Sequence, residues 1–205
     1  VKFSVNMKGV TIKSTGIHIS GDFQTAAGFP DGDWNSASTV MTARKDNPDI
    51  YEVTVNIPAH KKYEFKFVNG DLFYEVEFVP EESRVGYEFI DNRWFYLDSL
   101  NSDTTFIGPL LFGGNAPEGK KLLRFRVGMN STAVSGAGVH VSGSFNGNSY
   151  TANRMYSFNG TVYDAYTYVD SGETVSYVYV NGNSAAGEEV VSGACASAGK
   201  RSTTV

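Results

Sequence analysis

An internal repeat constrains the fold of this sequence more than any other feature. Residues 3–24 and 125–146 align without a gap at an offset of 122, and residues 64–70 (EFKFVNG) align with 176–182 (SYVYVNG) at an offset of 112. The residues shared by the first two segments are Phe3, Val5, Met7, Gly16, His18, Ser20, Gly21 and Phe23, which match Phe125, Val127, Met129, Gly138, His140, Ser142, Gly143 and Phe145. The repeat predicts two copies of one fold, each of about 100 residues.

Both copies have the residue pattern of short β-strands. Apolar and polar residues alternate over 51–57, as a half-buried strand requires, and no stretch has a sustained helical period. In both copies an Asn-Gly pair, at 69–70 and at 181–182, follows a run of alternating aromatic residues. Asn-Gly between two such runs is a strong hairpin signal, because both residues tolerate positive φ. Several short strands per copy, separated by turns, favour a β-sandwich.

The predicted domains are residues 1–120, which include a connecting segment at 98–120, and residues 121–205. Within the connecting segment, residues 106–112 (FIGPLLF) are apolar enough to form a strand on the first domain or in the domain interface. The second copy has no counterpart of this strand before Val205. Two explanations stay open: the sequence is a piece of a longer array, or another chain completes this edge.

Composition argues against several classes of protein. The net charge of -5 argues against nucleic-acid binding, which needs a basic surface to neutralise phosphates. No apolar run approaches the roughly 20 residues of a membrane helix. A lone cysteine, Cys195, excludes an intrachain disulfide and a multi-cysteine zinc site, and we expect it to be an isolated thiol. No nucleophile elbow, phosphate-binding loop or zinc-protease motif is present, and we predict that the chain is not an enzyme.

Three segments of the first copy carry a family resemblance: 18–24 (HISGDFQ), 50–58 (IYEVTVNIP) and 63–70 (YEFKFVNG). In order and spacing they resemble the starch- and glycogen-binding modules. The resemblance implies an immunoglobulin-like fold, so the full prediction is an all-β chain of two tandem immunoglobulin-like β-sandwich domains. It also implies a polysaccharide or cell-surface glycan as the partner and no cofactor.

Further motifs look like those of tandem modules on secreted surface proteins of Bacteroidetes-type bacteria. They are E-x-V-P at 77–80, Asn92-Arg93, and GGNAP-x-GK at 113–120 before a second F-x-V-x-M. This resemblance implies a secreted or cell-surface location.

The resemblance also implies a carbohydrate site on the first domain. Glycan-binding members have a tryptophan after their Gly-x-Phe-Asn motif; that position falls near Ala26, so Phe29 or Trp34 would have to replace it. The predicted carbohydrate-binding residues are Trp34, Lys66, Phe73, Tyr74 and Asn92. The competing interpretation places Phe73 or Tyr74 in the core. The second domain has Val178 at the lysine position and Asn183-Ser184 after its turn, and we expect it to lack the site.

A D-x-D-x-N sequence formed by Asp31, Asp33 and Asn35 is a candidate calcium site. Alternate oxygens on a turning loop can converge on calcium, which takes six to eight hard ligands. A solvated acidic loop is the other interpretation, since Ser36 and Thr42 stand where an EF-hand has Gly and Glu.

Charged and histidine residues recur at matching positions in the two copies. The recurring pairs are Glu77 with Arg93, Glu189 with Arg201, and His18 with His140. We interpret the Glu-Arg pairs as structural carboxylate–guanidinium contacts and the histidines as structural residues.

The first functional hypothesis is therefore a non-catalytic carbohydrate-binding module pair of a secreted or cell-surface protein. The alternative is a structural or adhesive module, or a subunit of an extracellular surface assembly, in which edge strands self-associate. An enzyme is the third and least favoured hypothesis. Exposed coplanar aromatic rings would favour the first, and a foreign strand on the second domain would favour the alternative.

Overall fold

The computed structural model describes residues 1–86, 91–98, 104–193 and 196–205. These residues form an all-β structure whose sheets are arranged as in a sandwich. The chain divides into two compact units, Val1–Glu118 (unit 1) and Gly119–Val205 (unit 2). Within the described ranges no helix is both long enough and apolar enough to cross a bilayer. Cys195 lies outside the described residues.

Unit 1 has strands β1 (Lys2–Asn6), β2 (Ile17–Gly21), β3 (Val40–Ala43), β4 (Ile50–Thr54), β5 (Lys61–Asn69), β6 (Arg93–Leu97) and β7 (Phe106–Leu111). Their hydrogen-bonded order is β6-β5-β2-β3-β4-β1-β7. The first two residues of β3 pair with β2 and the last two pair with β4. Because β3 crosses over in this way, it joins one layer made of β2, β5 and β6 to a second layer made of β1, β4 and β7.

Aromatic rings fill the space between the two layers of unit 1. The ring of Phe3 on β1 lies 5.1 Å from the rings of Phe23 and Phe65 and 5.6 Å from that of Phe95. Phe65 and Phe95 belong to β5 and β6, which do not pair with β1. The alternation seen in the sequence therefore directs every second residue of β5 inward, and Lys62, Glu64 and Lys66 lie on the outward face.

Strand β7 runs parallel to β1, so the prediction of a strand on the first domain at 106–112 is confirmed. Lys2 N donates to Thr105 O at 2.8 Å, and Phe112 N donates to Asn6 O at 3.1 Å. Gly108 has a φ of 98°, and a Cβ added there would lie 2.2 Å from the carbonyl oxygen of Ser4. The close approach of the two strands therefore requires glycine at this position.

Unit 2 has strands β8 (Lys120–Gly128), β9 (Val139–Gly143), β10 (Tyr156–Ser157), β11 (Val162–Asp170), β12 (Thr174–Asn181) and β13 (Arg201–Thr204). They form two three-stranded sheets, β10-β11-β8 and β13-β12-β9. The ring of Phe125 on β8 lies 4.9 Å from the rings of Phe145 and Tyr177. These rings are the repeat counterparts of Phe3, Phe23 and Phe65, so the same aromatic contact joins the sheets of each unit.

A buried ion pair ties together three segments of unit 1. Arg93 donates to Glu77 through Nε at 2.8 Å and through Nη2 at 2.7 Å. The carboxylate of Glu77 also accepts the amide hydrogens of Phe67 and Gly113. In unit 2, Arg201 makes the same two-pronged contact with Glu189, at 2.9 and 2.7 Å. The predicted recurrence of structural carboxylate–guanidinium contacts is confirmed.

Glu77→Ala is expected to destabilise unit 1 strongly, because it leaves the guanidinium of Arg93 buried without its carboxylate. The expected loss is about 3–5 kcal/mol of unfolding free energy. Both tryptophans of the chain, Trp34 and Trp94, belong to unit 1, so their fluorescence during denaturation reports on this unit.

Glu189→Ala is the matched control, because it removes the corresponding contact where Arg201 is partly open to solvent. We expect a loss of about 1 kcal/mol in unit 2, measured by exchange of its strand amides. Equal losses in the two units would contradict this account of the pair.

Candidate functional site

The most exposed aromatic pair of the described chain lies at the tip of the turn after β5. Phe73 is 81% exposed and Tyr74 is 66% exposed. Their rings are 5.2 Å apart and meet edge to face, with 85° between the ring planes, so the pair is exposed but is not the coplanar arrangement expected of a sugar-binding platform. Neither ring is packed in the core, so the competing interpretation that placed one of them there is wrong.

Side chains and amides hold this turn in a fixed shape. The carboxylate of Glu75 accepts the amide hydrogens of Asp71 and Leu72, at 2.9 and 3.0 Å, and pairs with Lys13. At the base of the turn, the backbone N–H of Asn69 donates to the carbonyl oxygen of Glu75 at 3.0 Å. The hydrogen bond from Lys13 and the turn amides lower the pKa of Glu75, so the carboxylate is charged at neutral pH. The exposed rings are thus carried on an ordered support.

Unit 2 has the asparagine contacts and the bridge at the base of this turn, but it lacks the rings and the carboxylate of Glu75, in whose place it has Gly187. Asn69 donates to Thr11 O and accepts from Lys13 N, at 2.9 and 3.1 Å. Its counterpart Asn181 donates to Ala133 O and accepts from Ser135 N, at 2.9 and 2.8 Å. The bridges Val68–Val76 and Val180–Glu188 also correspond. With this register, the positions of Phe73 and Tyr74 are occupied in unit 2 by Ala185 and Ala186.

Lys66 and Asn92 lie together on the outward face of β5 and β6, in a polar network. Lys66 Nζ donates to Asp91 Oδ1 at 2.6 Å, and Asn92 Nδ2 donates to Glu64 Oε2 at 2.9 Å. Glu64 also pairs with Lys62. Lys66 is buried, and Lys66 Nζ and Asn92 Nδ2 are both engaged with neighbouring carboxylates.

Trp34 lies in the loop between β2 and β3, at the end of β2 that is remote from the aromatic pair. Its amide donates to Gly21 O at 3.1 Å, whereas the turn that carries Phe73 starts where Asn69 pairs with Ile17. Residues 17 and 21 are about 13 Å apart along a strand. The structure therefore brings Phe73 and Tyr74 together, and Lys66 and Asn92 together, but separates Trp34 from the aromatic pair.

A buried glutamine organises the loop that holds Trp34. Gln24 Nε2 donates to Asn35 O, Ser38 Oγ and Thr39 Oγ1 at 2.9–3.0 Å. Gln24 Oε1 accepts from Gly21 N and Asn35 N, at 3.2 and 3.0 Å. In unit 2, Asn146 at the matching position makes a similar set of contacts, including one from Gly143 N at 2.9 Å.

The oxygens proposed as calcium ligands hold backbone amides in the same loop. Asp33 Oδ1 accepts from Thr25 N at 2.7 Å, and Asn35 Oδ1 accepts from Ala37 N and Ser38 N at 2.9 and 3.1 Å. The Asp31 side chain is exposed. Among the described residues, no group of three or more His, Cys, Asp or Glu side chains is placed to hold a metal. Calcium binding by Asp31, Asp33 and Asn35 stays a prediction, which a calcium titration followed by the amide signals of Thr25 and Ala37 would test.

Sequence reasoning missed Phe78, which is exposed between the buried residues Glu77 and Val79. Its ring lies 5.0 Å from the guanidinium carbon of Arg84, within range of a cation–π contact. The alternation of positions 77, 78 and 79 was the signal that could have shown it, since period two directs the middle residue outward.

No protein-family model matches the sequence, and no curated protein is similar to it. One solved structure with detectable likeness is the crystal structure of CBMbc, of family CBM26, from Eubacterium rectale Amy13K in complex with maltoheptaose. The match covers 88% of this chain and 81% of that one, with 12% identity and a TM-score of 0.34. A similarity this low assigns neither a family nor a ligand to the chain.

Gln24→Leu is expected to loosen the loop that carries Trp34 and the acidic residues, because it removes the shared partner of the amides of Gly21 and Asn35. The expected cost is about 1–3 kcal/mol, since these polar groups would be buried without a partner. Hydrogen exchange at the amide of Asn35 should quicken in the variant, while exchange in unit 2 stays as it was. Unchanged exchange at Asn35 would contradict the role given to Gln24.

Proposed function

We propose that the chain is a non-catalytic carbohydrate-binding protein whose contact with sugar is centred on Phe73 and Tyr74. The observation that carries the proposal is the comparison of the two units. Unit 2 forms a turn on the matching asparagine and bridge with Ala185 and Ala186 in place of the two aromatic residues. The rings are therefore not needed to build the turn, and in unit 1 they expose large apolar surface to water.

The chemistry of the turn suits a sugar ring. The faces of aromatic rings carry negative charge density, and the C–H groups on one side of a pyranose present a complementary apolar face. Lys13, whose side chain is half exposed, lies at the base of the same turn and offers a charged donor for hydroxyl groups. Because the turn is open to solvent, a sugar would make a shallow contact with it, which suits binding rather than catalysis.

The finer parts of the proposal concern organisation and location. We propose that units 1 and 2 are tandem immunoglobulin-like modules, because the aromatic cluster, the Glu–Arg pair and the asparagine of the turn recur in both. We also propose a secreted or cell-surface location, which rests on the sequence resemblance to modules of bacterial surface proteins. Lys66, Asn92 and Trp34 stay predicted sugar contacts. Trp34 would be reached only by a glycan long enough to span β2.

Phe73→Ala and Tyr74→Ala are expected each to weaken glycan binding by about tenfold or more, since each removes most of an aromatic contact area. A glycan-array screen of the full chain would identify the ligand, and calorimetry with that ligand would measure the loss. The double variant reproduces the Ala-Ala of unit 2, so we expect its fold to be retained.

Phe78→Ala is the control, because it removes an equally exposed ring outside the turn. It should leave the affinity unchanged. The proposal fails if the folded chain binds no glycan, or if the double variant binds as well as the unaltered chain. Trp34→Ala in the same series would show whether a long glycan extends to the far end of β2.

A further inference from the structure

The chain contains four Asn-Gly pairs, at 69–70, 146–147, 159–160 and 181–182. An asparagine that precedes a glycine can modify itself, because the peptide nitrogen of the glycine is held close to the side-chain carbonyl carbon of the asparagine. Glycine favours this attack, since it has no Cβ beside the attacking nitrogen. The dipeptides are identical in sequence, so the structure decides which of them reacts.

Three of the four asparagines have the nitrogen that must leave, Nδ2, held by a backbone carbonyl oxygen. The acceptors, at 2.9–3.0 Å, are Thr11 O for Asn69, Val141 O for Asn146 and Ala133 O for Asn181. At two of these pairs the attacking nitrogen is also engaged, because Gly70 N donates to Gly16 O and Gly182 N donates to Gly138 O, both at 2.9 Å. Reaction at these three pairs therefore requires hydrogen bonds to break first.

The fourth asparagine, Asn159, lies in the turn that joins β10 to β11. Asn159, Gly160 and Thr161 are all exposed. Among the residues that the structure describes, none accepts a hydrogen bond from Asn159 Nδ2. A Cβ added at Gly160 would meet nothing within 4 Å. Both the leaving nitrogen and the approach to the attacking nitrogen are thus open at this pair.

The carbonyl oxygen of the Asn159 side chain is surrounded by donors. Asn159 Oδ1 accepts from Thr161 N at 3.0 Å, from Thr161 Oγ1 at 3.1 Å and from Val162 N at 2.8 Å. Negative charge develops on this oxygen when the nitrogen of Gly160 adds to the carbonyl carbon. Donors that already point at such an oxygen stabilise the charge without having to reorganise. The turn therefore leaves the reacting groups open and stabilises the intermediate between them.

We propose that Asn159 is a self-modification site, at which the side-chain amide is converted into a carboxylate with the help of the donors from Thr161 and Val162. Gly160 N releases its proton to solvent and forms a bond to Asn159 Cγ. The Cγ–Nδ2 bond breaks, and Nδ2 takes up a proton and leaves as ammonia, so that a cyclic imide remains. Water then adds to one of the two imide carbonyl carbons and opens the ring. Position 159 becomes an aspartate or an isoaspartate, with one water consumed and one ammonia released.

The modified turn carries one more negative charge. An aspartate at this position keeps an acceptor for the same donors and binds them more strongly, because hydrogen bonds to an ionised acceptor are stronger than those to a neutral one. An isoaspartate instead adds a methylene group to the main chain. That change alters the spacing of the turn and is expected to disturb the neighbouring pair formed by Ser157 and Tyr163.

The test is incubation of the full, folded chain at mildly alkaline pH, followed by digestion and mass spectrometry of the peptides that contain the four pairs. We expect Asn159 to be converted about tenfold faster than the other three asparagines, since each of those must first break at least one hydrogen bond. The matched control is the same chain unfolded in urea. The four pairs should react there at similar rates, because the structure that distinguishes them is lost.

Two variants test the role of the donors. Thr161→Val removes the hydroxyl donor and keeps a branched side chain, and it should slow the conversion of Asn159 by about threefold to tenfold, the worth of one hydrogen bond. Thr161→Ser keeps the hydroxyl and should react at the unaltered rate. Asn146 and Asn181 lie in the same unit and are internal controls, because general loosening of the unit would speed their conversion.

Three results would overturn the proposal. The first is conversion of any other pair as fast as Asn159 in the folded chain, and the second is slower conversion of Asn159 in the folded chain than in urea. The third is an unchanged rate in Thr161→Val. All of these rates are measured without a ligand, so this proposal and the proposal of sugar binding by Phe73 and Tyr74 fail independently.

Discussion

The structure of unit 1 depends on one buried contact, the two-pronged hydrogen bond between Arg93 and Glu77. Taking this charge pair out of water is costly, and further hydrogen bonds to backbone groups offset part of that cost. Glu77 accepts amide hydrogens from β5 and from the chain after β7, and Arg93 donates to Gly114 O. The pair therefore fixes the end of β5, the start of β6 and the return of the chain beside β1. It also sets the path of the chain that leads from the exposed turn at 70–75 back into the sheet.

The two units share their main interior contacts but differ in what lies beside the first strand of each unit. The aromatic contact between sheets, the Glu–Arg pair and the asparagine of the turn recur at matching positions. In unit 1 the strand β7 lies beside β1, a strand without a counterpart among the described residues of unit 2, and the ion pair of unit 1 is shielded from water. Unit 2 has Tyr179 where unit 1 has Phe67, and the added hydroxyl bonds the backbone of β8. The difference between Phe67 and Tyr179 thus gives the backbone of β8 a hydrogen-bond partner in unit 2, while the aromatic ring packs in the core in both units.

The turn after β5 in unit 1 and the matching turn after β12 in unit 2 carry different side chains. The asparagine contacts at the base of the turn are common to both units, but only unit 1 carries aromatic rings on the turn. Glu75 also belongs to unit 1 alone, since Gly187 stands in its place in unit 2. The two turns therefore differ in their exposed side chains, with Phe73 and Tyr74 in unit 1 and Ala185 and Ala186 in unit 2.

The sequence by itself indicated the repeat and the strands, because period two is a local property of the backbone. The Asn-Gly pairs mark turns, but an isolated bridge follows each of them, Val68–Val76 and Val180–Glu188, in place of the second strand of a hairpin. It also indicated the strand at 106–112 and the recurring Glu–Arg pairs. It could not determine that Phe73 and Tyr74 both face solvent, because that depends on how far the turn extends beyond the sheet. Nor could it show that Trp34 lies at the opposite end of β2. Those facts were decided by tertiary structure, since the exposure of a side chain depends on which distant segment covers it, and local alternation cannot specify that segment.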